Sequence, residues 1–293
     1  MRILFIGSVA FSAHALRELI AMQAEIVGVC TLKESAFNAD HVDLTSIAND
    51  AGIPALYAQN IDNPESLEWV RERKPDVIFC FGWSRLIKAP LLSLPPMGVV
   101  GFHPAALPAN RGRHPLVWAL VLGLRETAST FFLMDEGADS GDLLSQAKVA
   151  VYESDDAADL YQRVTEIALS QLREFVPLMA SGKIQRIPQD HQLANVWRKR
   201  GAVDGRIDWR MAADSIHNLV RGLTRPYVGA HFDYENQLIK VWKTVISDDA
   251  PANLEPGKIL SVDDDGIVVK AGVGAIRLLD YEPRVHLITG EYL

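Results

Sequence analysis

Met1-Arg2-Ile3-Leu4-Phe5-Ile6-Gly7 begins the chain with a strand-length apolar run closed by a glycine. From 11 to 20 apolar residues recur at helical spacing, 25–30 is strand-like again, and a helix follows from Leu44. This alternation predicts a parallel sheet with helices on its faces. The first turn holds Gly7 but lacks the three glycines that let a pyrophosphate approach the backbone, which disfavours a nicotinamide-dependent oxidoreductase.

Outward from there, 53–56 reads as a short extended piece, 63–73 as a helix and Asp76-Val77-Ile78-Phe79-Cys80 as a buried strand. A helical pattern at 116–122 precedes the β-like run Thr130-Phe131-Phe132-Leu133. Leu160, Val164, Ile167, Ala168, Leu172 and Val176 keep a helical period that predicts a long helix over 156–180, covering the sheet. Charged Trp197-Arg198-Lys199-Arg200 and the glycine-punctuated 201–205 read as a junction. After a helix at 213–222, short strands recur at 230–234, 238–242, 257–262, 266–270 and 275–281, the pattern of a small, partly open β-barrel. The expected fold is α/β: a Rossmann-like, mostly parallel sheet domain over 1–196, a linker over 197–205 and an OB-like domain over 206–293.

Length and charge bound the rest. The 293 residues suffice for about two domains of ordinary size. A formal charge of −8 argues against a surface whose main task is gripping nucleic acid. Cys30 and Cys80 end two expected buried strands and read as small core hydrophobes in a reduced compartment. The N-terminus has no signal-peptide pattern and no apolar run approaches the ~20 residues that cross a bilayer, so a cytoplasmic protein without a membrane partner is expected.

The chemistry gathers between 98 and 146. Gly98-Val99-Val100-Gly101-Phe102 runs into His103-Pro104-Ala105-Ala106-Leu107-Pro108, placing an imidazole where a strand passes into a loop. Open α/β sheets keep their chemistry at such ends. Arg111-Gly112-Arg113-His114-Pro115 follows, and later the acidic loop Asp135-Glu136-Gly137-Ala138-Asp139-Ser140-Gly141-Asp142. Taken singly, these are a satisfied loop histidine and a solvated turn. The acidic loop lacks EF-hand spacing, and His103 and His114 do not stand at helical metal-ligand spacing, so no metal site is expected.

In this order, the same pieces resemble the active-site segment of the folate-dependent formyltransferases. There a His, then Pro or Gly, a small residue and Leu-Pro lead to Arg-Gly-x-x-Pro and later to Ala-Asp-x-Gly, here Ala138-Asp139-Ser140-Gly141. Asp204-Gly205-Arg206-Ile207-Asp208-Trp209 and Arg225-Pro226-Tyr227-Val228-Gly229-Ala230 resemble the carboxy-terminal domain of that family, so the resemblance spans nearly the whole chain. It implies 10-formyltetrahydrofolate as formyl donor, with Phe81, Gly82, Trp83, Arg85, Leu86 and Ile87 forming the pterin loop and Asp135, Gly137, Ala138 and Asp139 a second wall. It further implies His103 as base and oxyanion donor, with Asp139 orienting its ring and favouring the imidazolium. The family places an Asn two residues before that His, where this chain has Gly101; Asn110 is expected to supply the missing amide, with His114 chemically able to do the same.

Two charge arguments bear on the acceptor. The unperiodic 31–44 loop is mildly acidic, whereas the tRNA-specific members of the family carry Lys and Arg there, and 200–293 holds 11 Lys and Arg against 14 Asp and Glu, a net −3. An amino sugar acceptor is therefore expected, nucleotide-linked or of the nonulosonic (pseudaminic) type and destined for surface polysaccharide, with no nucleic-acid partner. Phe37, Asn38, Arg111, Arg113 and His114 are the acceptor-side candidates; the arginines, like Arg85, suit a phosphate or carboxylate. A methionyl-tRNA formyltransferase is the alternative, and a non-catalytic folate or sugar-nucleotide binding homologue a second one, motivated by Gly101. A homodimer is left open.

Overall fold

The computed structural model describes residues 1–35, 38–247 and 250–293. The chain forms β1 (Arg2–Ile6), α1 (Ala10–Ala21), β2 (Glu25–Thr31), α2 (Thr45–Asp50), β3 (Ala55–Tyr57), α3 (Pro64–Glu72), β4 (Val77–Cys80), α4 (Ala89–Leu92) and β5 (Val99–His103). It continues through β6 (Arg111–Gly112), α5 (Pro115–Val121), β7 (Glu126–Leu133), β8 (Leu143–Ala150), α6 (Ala157–Ala180) and β9 (Val196–Trp197). The last elements are α7 (Ala213–Leu223), β10 (Ala230–Tyr234), β11 (Gln237–Ser247), β12 (Ile259–Asp263), β13 (Gly266–Lys270) and β14 (Ala275–Glu282).

Contacts divide the chain into a first unit of 1–112, 127–149 and 162–197, and a second of 113–126, 150–161 and 198–293. The first is built on a seven-stranded sheet in the order β3-β2-β1-β4-β5-β7-β8. β3, β2, β1, β4 and β5 are parallel neighbours, and β7 returns antiparallel to β5. The order reverses between β1 and β4, so the carboxyl ends of β1, β4 and β5 flank the switch point where open α/β sheets bind ligands. Asn63 caps α3 by accepting from the Ser66 N–H at 2.7 Å, and Pro64 sits in the first turn, which explains why the helix starts there.

The alternation of β5 sets both of its faces. Phe102 stacks on Phe11 at 4.0 Å between ring centroids and meets Phe131 at 5.0 Å, joining an aromatic cluster with Phe5, Phe79, Phe81 and Phe175. Gly101 and His103 take the opposite face. On that side Leu107, Phe132, Leu143 and Met134 form a small apolar group.

The second unit carries a five-stranded antiparallel sheet, β10-β11-β14-β13-β12. Ile216, Leu219, Val220 and Leu223 of α7 pack with its buried face, and Trp209 meets Phe232 edge-on at 5.4 Å. Several strands exceed the expected pattern, among them the short pair β6 and β9 and the early start of β7 at Glu126. β11 runs on to Ser247, and β8 adds an edge strand to the first sheet that the sequence reading did not contain. No helix of the described residues is long and apolar enough to cross a membrane.

Candidate active site

His103 ends β5 with its ring buried. Its Nε2 lies 2.8 Å from the main-chain oxygen of Asn110. A carbonyl oxygen only accepts, so Nε2 carries the proton of that bond. The other nitrogen, Nδ1, stands 3.6 Å from Asp139 Oδ2. The same Oδ2 accepts the Gly112 N–H at 2.9 Å, which fixes the carboxylate between the His103 ring and the 110–112 segment.

Local chemistry explains why the loop after β5 is held. Thr130 Oγ donates to the Ala105 oxygen at 2.7 Å, and Gln146 Nε2 donates to the Leu107 oxygen at 2.9 Å, so β7 and β8 grip the Pro104–Leu107 turn from below. Gly112, at φ +105°, lets β6 lie against β9; a Cβ there would stand 2.3 Å from the Trp197 oxygen.

Asp139 has φ +53°, a left-handed conformation that a residue with a Cβ occupies at a cost. The loop around it is closed by Asp135, whose Oδ1 accepts from the Gly137 N–H at 2.9 Å and from Ser140 Oγ at 2.6 Å. Buried Gln189, on which the sequence reading was silent, donates from Nε2 to the Asp139 oxygen at 2.9 Å and to the Gly141 oxygen at 2.6 Å. Arg111 is buried too, and donates to Gln189 Oε1 at 2.6 and 3.2 Å and to His191 Nδ1 at 3.1 Å.

The 81–87 loop leaves β4 beside the first βα turn. Ser12, fully buried, bonds from Oγ to the Phe81 oxygen at 2.6 Å and accepts the Ser8 and Val9 N–H groups at 3.2 Å. Gly82 has φ +66°, and a Cβ on it would lie 2.1 Å from a Val9 methyl. Only glycine permits the chain to turn this tightly there. The side chain of Phe81 points into the aromatic cluster and Ile87 is buried, whereas Leu86 is exposed and Arg85 reaches Gln59 Oε1 at 3.3 Å. Trp83 Nε1 is buried with no hydrogen-bond partner in the protein. An orphaned donor beside a glycine turn suits a polar, flat ligand such as a pterin.

The remaining candidates are scattered. Asn38 accepts from Ser84 Oγ at 2.7 Å, which ties the 31–44 loop to the 81–87 loop. His41 adds to this anchoring, with Nδ1 at 2.9 Å from the Ser8 oxygen. Phe37 lies outside the described residues. Arg113 and His114 belong to the second unit, where burial first, then Arg113, Arg200 and Lys199, lower the His114 pKa. At Gly101 a Cβ would stand 2.8 Å from the Phe132 ring and 2.9 Å from Met134 Cγ, so those two side chains fill the space that a side chain at 101 would enter.

An imidazole and a carboxylate paired at the end of a central strand, next to a glycine turn and an acidic loop, define a site for proton handling in group transfer. The formyl transferase model matches residues 1–176 and the model of the formyl transferase C-terminal domain matches 201–286. A methionyl-tRNA formyltransferase of Acetivibrio thermocellus is 31% identical, over 100% of this chain and 96% of its own. Among solved structures, WlaRD, a sugar 3N-formyl transferase crystallised with dTDP and 5-N-formyl-THF, superposes with a TM-score of 0.71 at 16% identity, covering 97% of this chain and 99% of that one. HypX from Aquifex aeolicus in complex with tetrahydrofolic acid gives 0.69 at 20% identity over 95% of this chain, which spans 43% of HypX. At these identities the two structures share the fold. The chain belongs to the formyl transferase family. It is an N-formyltransferase whose donor is 10-formyltetrahydrofolate.

The relatives correct the expected acceptor. Relatives that match over nearly the whole chain are methionyl-tRNA formyltransferases, which overturns the amino sugar reading, its pseudaminic variant included. The expected acceptor rested on net formal charge, −3 over 200–293 and mildly acidic over 31–44. In the structure Asp43 of the acidic loop accepts from Thr45 N and Oγ and from Tyr57 OH at 2.8 to 2.9 Å, and Asp204 and Asp208 are paired with Arg198 and Arg210, contacts that leave the net charge unchanged but show that charge is distributed locally. A sum of formal charges does not describe the few local cations that phosphates meet.

Proposed function

We propose that the chain transfers the formyl group of 10-formyltetrahydrofolate to the α-amine of methionyl-tRNA. The full-length similarity to methionyl-tRNA formyltransferases supports the acceptor, and the His103–Asp139 pair supports the chemistry. An α-amine with a pKa of ~7.7 to 8.0 is mostly protonated near neutral pH and must lose a proton to attack. Of the two ring nitrogens of His103, Nδ1 is the one not committed to the Asn110 carbonyl, so the proton moves to Nδ1 and the Asp139 carboxylate stabilises the imidazolium. The same proton then passes to the departing folate nitrogen.

Phe81, Gly82 and Trp83 would hold the pterin through the 81–87 main chain and the Trp83 N–H, with Arg85, Leu86 and Ile87 extending that wall and Asp135, Gly137 and Ala138 closing it. The Asn110 amide is read as the donor to the developing oxyanion, a role that Gly101 cannot fill. Asn38, Arg113 and His114 are read as acceptor-side residues; Arg111, engaged with Gln189, acts from within the site. In chain order we read 1–196 as catalytic, 197–205 as linker and the antiparallel sheet of 206–293 as an OB-like barrel.

The test is incubation with 10-formyltetrahydrofolate and methionyl-tRNA, then hydrolysis and detection of N-formylmethionine. The product is expected with wild type and at least 100-fold less of it with His103→Ala. Equal product from the two proteins would dismiss the assignment.

A further inference from the structure

We infer that Gln189 is a positioning residue for the His103–Asp139 pair, acting as the clamp that holds the 139–141 backbone against Arg111. The inference rests on the reading of that pair as catalytic. Asp139 sits at φ +53°, a left-handed conformation that costs free energy and that neighbouring contacts hold in place. Both hydrogens of the Gln189 amide make such contacts, one with the Asp139 oxygen at 2.9 Å and one with the Gly141 oxygen at 2.6 Å. The amide oxygen is held in turn by two Arg111 donors.

The clamp is itself braced. Ile187 exchanges both main-chain bonds with Leu143 at 2.8 and 2.9 Å, just beyond the acidic loop. At the other end, Asn195 Oδ1 accepts the Asn110 N–H at 2.7 Å and its main-chain oxygen accepts from Arg111 N at 3.0 Å. The 187–197 segment therefore grips the two stretches that carry the partners of His103: Asn110, which binds Nε2, and Asp139, which faces Nδ1. A displacement of about 1 Å in such a constellation costs up to ~100-fold in rate.

Gln189→Glu separates this role from a merely structural one. A carboxylate keeps the Arg111 pairing and removes both donors to the 139–141 carbonyls. The expected result is a kcat 10- to 100-fold lower, KM for both substrates within about threefold, a folded protein by circular dichroism with a lowered melting temperature, and displaced His103 ring signals in ¹⁵N-histidine spectra, identified by their absence in His103→Ala. A folded Gln189→Glu with kcat within twofold of wild type and unmoved His103 signals overturns the clamp. Where the carboxylate is not tolerated, Gln189→Met, of similar length and without donors, gives the same two readouts. Asp139→Ala run in parallel distinguishes the two levels: if it is inactive while Gln189→Glu is active, the clamp alone fails, and if Asp139→Ala is fully active the underlying reading fails and the clamp with it.

Discussion

Replacing Asp139 by Asn tests the proton-handling account with little disturbance of shape. The amide oxygen still accepts the Gly112 N–H that Asp139 Oδ2 accepts at 2.9 Å, and Asn tolerates the left-handed φ of +53°. What disappears is the charge facing Nδ1. A unit charge pair at the observed 3.6 Å is worth about 4.6 kcal/mol at an effective dielectric of ~20. Asp139 keeps 22% of its side chain exposed, so solvent screening reduces that figure, and a remainder of roughly 2.7 kcal/mol corresponds to about 100-fold in kcat. Steady-state kinetics with a thermal melt on the same preparation is the assay. We expect a kcat at least 100-fold lower at an unchanged melting temperature; a well-folded Asp139→Asn within tenfold of wild type refutes the role of the carboxylate.

Three further outcomes are expected. Asn110→Gly keeps the main-chain oxygen that binds His103 and the freedom to reach φ +64° while removing the amide, and it should lower kcat at least tenfold; full activity would show that another group serves the oxyanion. Gly82→Ala forces a side chain into φ +66° against Val9 and should destabilise the protein by about 1–3 kcal/mol and weaken tetrahydrofolate binding in calorimetry at least tenfold, an unchanged Kd speaking against the glycine turn as part of the folate site. Burial, and then Arg221, lower the His217 pKa in the folded state, so the unfolded chain takes up a proton first as pH falls through the ordinary imidazole range. Stability should therefore drop from pH 7 to pH 5, with a shallower drop in His217→Gln; identical pH slopes would contradict it.

The β1-α1-β2 alternation was legible because parallel central strands are apolar throughout and their crossover helices keep a 3.6-residue period. β8 was not, since Leu143–Ala150 mixes two buried leucines with an exposed Gln and Lys alternation at a sheet edge. β11 runs past Trp242 on alternating Lys243, Thr244, Val245 and Ile246, with Thr244 buried and its neighbours exposed, a weak signal. The loop chemistry divided similarly. His103 and Asp139 stand in a block whose order is distinctive, whereas Gln189 is one glutamine in irregular chain, and only the fold reveals that its amide spans two carbonyls. Arg111 read as an acceptor-side cation because exposure is invisible in sequence; the structure buries it.

Tetrahydrofolate release, measured with 10-formyltetrahydrofolate and methionyl-tRNA against the same mixture lacking the tRNA, tests the central claim most directly. The account predicts release that depends on methionyl-tRNA and falls at least 100-fold in His103→Ala. Release indifferent to methionyl-tRNA, or driven instead by a small amine, would contradict it.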